Sequence, residues 1–202
     1  MRTVLIVGAL VCNATLSYPD SSPGSAAGQF DDHRIPMVFD AQGKTVGPLV
    51  SASGVSGVFI TINGAFTFVP IIHSARNYTN GRLEAERSSS QYQWSDSSAV
   101  AYASSDCSGT PLILQIGNSE DVSVGRPSTA IRNGADVTVY VASDTYSSLN
   151  AAGSILSLNN GAPGSCIPQG PGTLAAPTWP AESAYPITQH YPEPLKVGYG
   201  DR

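Results

Sequence analysis

The sequence predicts an all-β protein, an antiparallel sandwich or irregular barrel of short strands with a Pro-rich C-terminal strap. Three observations carry this. From Met37 onward apolar residues recur with period two, turn residues punctuate them at short intervals, and only 12% of the 202 residues are charged. The low charge removes the polar face that a helix turns to solvent every 3.6 residues, so coiled coils and helical bundles are excluded. A highly charged disordered chain is excluded as well, because 41% of residues are apolar and gather in β-branched runs. The formal charge is -5, and the ten basic residues are scattered, with lysine only at Lys44 and Lys196. No phosphate-binding surface follows from that distribution, and nucleic acid is not an expected partner.

Taken in order, Met1 to Val11 is one cationic residue followed by a short apolar run, with small residues at cleavage spacing after it. Residues 1–17 therefore read as a secretory signal peptide. The rival is an ordinary buried strand from Thr3 to Val11 in an uncleaved chain. The run is too short to cross a hydrocarbon core, which takes about 20 residues, so the mature chain is expected to have no transmembrane segment. Residues 18–35, interrupted by Pro19 and Pro23, read as a flexible leader.

The β-domain is expected over 36–162. Met37 to Phe39, the turn Asp40-Ala41-Gln42-Gly43-Lys44 and Thr45 to Val50 make a first hairpin. Val58 to Ile62 and Ala65 to Val69 flank Asn63-Gly64, the dipeptide suited to a type I′ turn. A two-residue loop fixes the register, opposing Ile62 to Ala65, Thr61 to Phe66, Ile60 to Thr67, Phe59 to Phe68 and Val58 to Val69. One face then carries Val58, Ile60, Ile62 and Val69, and the other Phe59, Phe66 and Phe68. Both being apolar, both are expected to be covered. Further strands are expected at Gln91 to Trp94, Ala99 to Ala103, Pro111 to Ile116, Asp121 to Val124, Thr129 to Arg132, Asp136 to Ala142 and Ser154 to Leu158. Only Arg82 to Arg87 has helical composition. Residues 163–202 hold eight of the fifteen prolines together with Trp179, Tyr185, Tyr191 and Tyr199. Such a stretch is expected to form no regular sheet or helix, and to serve as a strap on its own domain or as an arm for a partner.

Three cysteines are present, and loss of Cys12 with the signal leaves Cys107 and Cys166. An even pair in an oxidising compartment predicts one disulfide. A catalytic thiolate is the rival, but Asp106 disfavours it and no basic residue stands beside Cys107.

Chemistry is sparse. No nucleophile elbow, zinc-protease helix, P-loop, dinucleotide fingerprint or EF-hand loop occurs. Asp31-Asp32-His33 has metal-binding residue types, but three adjacent residues of an extended chain do not converge on one ion, and His73 and His190 lie far away in sequence. Glu84 and Glu86 could be paired carboxylates, yet Arg82 and Arg87 make them a solvated charge cluster. Asn77-Tyr78-Thr79 is a glycosylation sequon. The aromatic group Tyr92, Trp94 and Tyr102 is the candidate ligand-binding set, able to stack on sugar rings or anchor a protein partner; the alternative is that it caps one end of the core. No catalytic residue, metal ligand or cofactor is assigned.

The run Val38 to Gly47, the stretch Ala101 to Pro111 around Cys107, Gly164-Ser165-Cys166 and the terminal Tyr191 to Val197 together resemble a loose group of uncharacterised secreted bacterial β-rich proteins. The resemblance spans most of residues 37–197 and implies a secreted β-module with a single disulfide. It carries over no activity and no catalytic residue. The sequence thus points to an exported, non-enzymatic β-domain for binding, adhesion or surface assembly, in contact with carbohydrate or a protein partner, with homo-oligomers allowed. Its rivals are a secreted polysaccharide hydrolase and a virion or tail-fibre structural protein.

Overall fold

A computed structural model describes residues 34–52, 54–77, 85–114, 125–145, 152–159, 162–170 and 178–200. The expected signal peptide, the leader through His33, the strand at Asp121 to Val124 and the residues Tyr78 and Glu84 lie outside that set.

About two-thirds of the described chain is strand. Strands β1 (Pro36–Phe39), β2 (Thr45–Ala52), β3 (Val55–Ile62), β4 (Ala65–Asn77), β5 (Ala85–Trp94) and β13 (Lys196–Tyr199) form one antiparallel sheet in the order β13-β1-β2-β3-β4-β5. Its two ends meet. Tyr92 of β5 and Leu195, just before β13, exchange backbone N–H···O bonds of 2.9 and 2.7 Å, so the sheet curls into a nearly closed barrel. Closure leaves few free strand edges.

The second sheet runs β11-β10-β6-β7-β12-β9-β8. It is built from β6 (Ala99–Tyr102), β7 (Pro111–Leu114), β8 (Ser128–Asn133), β9 (Asp136–Ala142), β10 (Ser154–Asn159), β11 (Ala162–Pro168) and β12 (Thr178–Pro186). Among the described residues the one short helix is α1 (Ile187–His190). The stretch with helical composition does not form one where it is described, since Ala85 to Arg87 belong to β5.

The Asn63-Gly64 turn behaves as its chemistry requires. Both residues have positive φ, 49° and 84°, and the five opposed pairs from Ile62/Ala65 to Val58/Val69 form as the two-residue loop dictates. The inner row of this hairpin packs with Val38, Ile71, Trp94 and Leu195, and with Val137, Val139 and Val141 of β9, into the main core. Each fully buried aliphatic of this kind contributes about 1.5 to 3 kcal/mol relative to exposure.

Two expectations need correction. The described residues of 163–202 do lie on their own domain, but largely as strands. β12 enters the second sheet and β13 completes the first, so the β-domain continues past 162. Proline is accommodated because β12 changes partner beside it: Thr178 to Pro180 pair with β7, while Ala181 to Pro186 pair with β9 across a bulge. The second correction concerns the hairpin's outer face, which is not fully covered: Phe59 and Phe68 are half-buried and Phe66 is 47% exposed.

Candidate binding surfaces

A network of side-chain hydrogen bonds ties the C-terminal corner together. Arg132 of β8 forks onto Glu193, Nη2 donating to Oε1 at 2.7 Å and Nη1 to Oε2 at 3.1 Å, while Nη2 also donates to the Trp94 carbonyl at 2.7 Å. The Trp94 N–H donates to Glu193 Oε1 at 2.6 Å, and its indole N–H to the Tyr191 carbonyl at 3.1 Å. A single carboxylate thus joins β5, β8 and the segment leading to β13. Two-pronged arginine pairing of this kind fixes orientation as well as adding energy. On the other flank Asp40 Oδ1 accepts the backbone N–H groups of Gln42 and Lys44, both at 2.9 Å, and the Ala41 N–H donates to the Pro192 carbonyl at 2.9 Å.

That corner decides the fate of the aromatic set read from the sequence. Tyr92 and Trp94 share the inner face of β5, as their two-residue spacing requires, but Trp94 is 0% exposed and serves the core. Tyr102 is buried in a separate cluster with Val100 and Leu158. Burial, with Tyr140 adding to it, raises the Tyr102 phenol above its ordinary range. The structure therefore does not bring the three rings to one surface. Tyr92 alone reaches a cleft.

Cys107 and Cys166 are bonded to each other. The bond ties the loop after β6 to the outer strand β11. Around it Cys107 N–H donates to Ser154 Oγ at 2.9 Å, and Ser108 Oγ donates to Asp106 Oδ1 at 2.6 Å. The hydroxyls of Ser108 and Ser104 hold the Asp106 carboxyl below the usual carboxylate range. A disulfide-bonded Cys107 has no thiolate to offer as a nucleophile. Among the described residues no group of three His, Cys, Asp or Glu side chains is placed to hold a metal ion.

Among the described residues, two surfaces can engage something else. The first is the outer face of β3 and β4. Phe59 and Phe66 stack at 4.7 Å between centroids, 8° from parallel, and Phe68 tilts against Phe59 at 5.3 Å. Phe68 can lie along the sheet because position 57 is glycine: a Cβ there would stand 2.5 Å from Phe68 Cζ. Pro48 of β2, which opposes Met37, extends this apolar band toward β1. Period-two reading of the sequence found these residues, but it could not tell a covered face from one whose rings cover each other.

The second is a cleft of about 400 Å³ between the β2–β3 turn and the β4–β5 ribbon. Leu49, Val55 and Ile71 give it apolar walls, and His73, Arg87 and Tyr92 give it polar ones. His73 and Tyr92 are opposed in register and stack at 4.4 Å. The signal for His73 was present in the sequence, two residues after Ile71 in the inner row of β4, but only pairing with β5 reveals its neighbour.

Among the described residues no helix is long and apolar enough to cross a membrane. Comparison with family models, with curated proteins and with solved structures gives no match.

Proposed function

We propose that this chain is an exported, non-enzymatic β-module that works by binding and assembly at a cell or particle surface. The observation that carries this reading is the stacked Phe59, Phe66 and Phe68 face, an aromatic patch held outside the core on a rigid, nearly closed sheet. Contiguous exposed apolar surface of this kind marks interaction sites, and rigid aromatics are the side chains that dominate binding energy at interfaces. The Cys107–Cys166 bond supports the compartment, since such bonds persist in oxidising surroundings.

The test uses Phe66→Ser, which removes the most exposed ring without entering the core. Wild type and variant are compared by sedimentation velocity from 1 to 100 μM, and by the fraction each leaves on the surface of cells that export it. The proposal predicts that the variant folds as the wild type does and loses association, surface retention or both. Unchanged association together with unchanged retention contradicts it.

A further inference from the structure

We propose that the cleft beside Tyr92 is a binding site for a ring-bearing organic carboxylate. This site is separate from the phenylalanine face, and the inference stands or falls without it.

The chain is net acidic, at -5. Yet among the described residues that line this cleft the ionisable side chains are His73, Arg87 and Tyr92. Arg126 is committed to Asp144 and Glu182 and Arg132 to Glu193, whereas Arg87 lies exposed on the lining of this cleft. An exposed guanidinium at the rim of a concave site presents a fork of N–H donors matched to the two oxygens of a carboxylate. A small acid would therefore find a complementary cationic group at this cleft.

His73 and Tyr92 stand side by side as a stacked pair, and Leu49, Val55 and Ile71 form the apolar walls next to them. A flat ring or the apolar face of a sugar lies well against such a surface, whereas a bare inorganic anion leaves the walls unused. The cleft volume falls within the ordinary range for small-molecule sites. Tyr92 is also held still, because its backbone N–H and C=O both bond Leu195 at the closure of the barrel. A platform that does not move loses little entropy on binding.

One carboxylate chemistry has two sources, a free aromatic acid and the acidic sugar of a glycan, and the experiment separates them. The full chain is titrated at constant ionic strength with benzoate, glucuronate, inorganic phosphate and the neutral counterparts benzyl alcohol and glucose. Backbone amide shifts are followed in the wild type, in Arg87→Gln and in His73→Ala. The expected result is saturable shifts at residues 71–73, 87 and 92 with benzoate or glucuronate, and a dissociation constant raised at least about tenfold in Arg87→Gln. His73→Ala should weaken binding less, by removing half of the stacked pair. Tighter benzoate assigns a free aromatic acid, and tighter glucuronate an acidic glycan. Both variants alter exposed side chains, and their unchanged amide spectra elsewhere verify the fold. Equal binding of the neutral counterparts, equal binding of phosphate, or benzoate and glucuronate affinities untouched by Arg87→Gln would each overturn the proposal.

Discussion

Replacing Glu193 by glutamine tests how the barrel is closed. In the native chain its carboxylate receives three N–H donors, from Trp94 at 2.6 Å and from Arg132 at 2.7 and 3.1 Å, while the Arg132 side chain is only 6% exposed. Glutamine keeps one acceptor oxygen but turns an NH₂ group toward Arg132 or the Trp94 N–H. It also leaves the arginine charge buried without a counter-charge. Breaking a buried pair from one side costs about 3 to 5 kcal/mol, and the partial exposure of Glu193 favours the lower end. For a domain of this size each kcal/mol moves the melting temperature by about 2 to 4 °C, so a drop of about 6 to 12 °C is expected. Thermal unfolding followed by circular dichroism reads it directly. Combining Glu193→Gln with Arg132→Met in a double-mutant cycle should show the losses to be strongly non-additive. A single variant melting within about 2 °C of wild type, or a coupling below about 0.5 kcal/mol, would refute the idea that this pair locks the C-terminal segment to β5 and β8.

Phe68→Ala should cost about 1 to 2 kcal/mol in urea denaturation, less than the 3 to 5 kcal/mol of a fully buried phenylalanine, because its ring is half-buried against Gly57. Gly57→Ala should cost more than about 2 kcal/mol, since the new methyl would stand 2.5 Å from the Val69 carbonyl as well as from the ring; adding Phe68→Ala frees the ring but not the carbonyl, so the double variant is not rescued. Asp106 should titrate below ordinary aspartates by carboxyl carbon NMR, and Ser108→Ala should return it toward the usual range. Since its folded-state value is lowered, the loop contribution is present above the unfolded aspartate range and is lost as pH falls through the folded value.

What the sequence could show differs from element to element. The Asn63-Gly64 hairpin was legible to the residue, because a two-residue turn leaves no freedom of register and a slip would invert both faces. The disulfide was legible from an even count. The outer face was misread because apolar alternation on both sides of a hairpin says only that both are apolar. Phe59 and Phe66 shield one another by stacking, and Phe68 is shielded by the glycine beneath it, neither of which needs a covering layer. The C-terminal strands were missed for a related reason. Proline removes a ladder donor, which argues against sheet, but Pro180 stands where β12 leaves β7 for β9 and Pro186 at its end. Tyr92 was found among the candidate residues and His73 and Arg87 were not, since their meeting depends on the pairing of β4 with β5 across a bulge.

On the proposed function, the phenylalanine face is open to solvent in the isolated chain and closes on a partner surface. The most direct test places 4-fluorophenylalanine at position 66 and measures its fluorine relaxation with a soluble paramagnetic probe at low and at high protein concentration. Strong relaxation enhancement is expected in the dilute chain, with a marked loss of it as the chain associates or as surface material of the cells that produce it is added. A ring protected to the same degree in every sample, at the level of the buried Trp94, would contradict it.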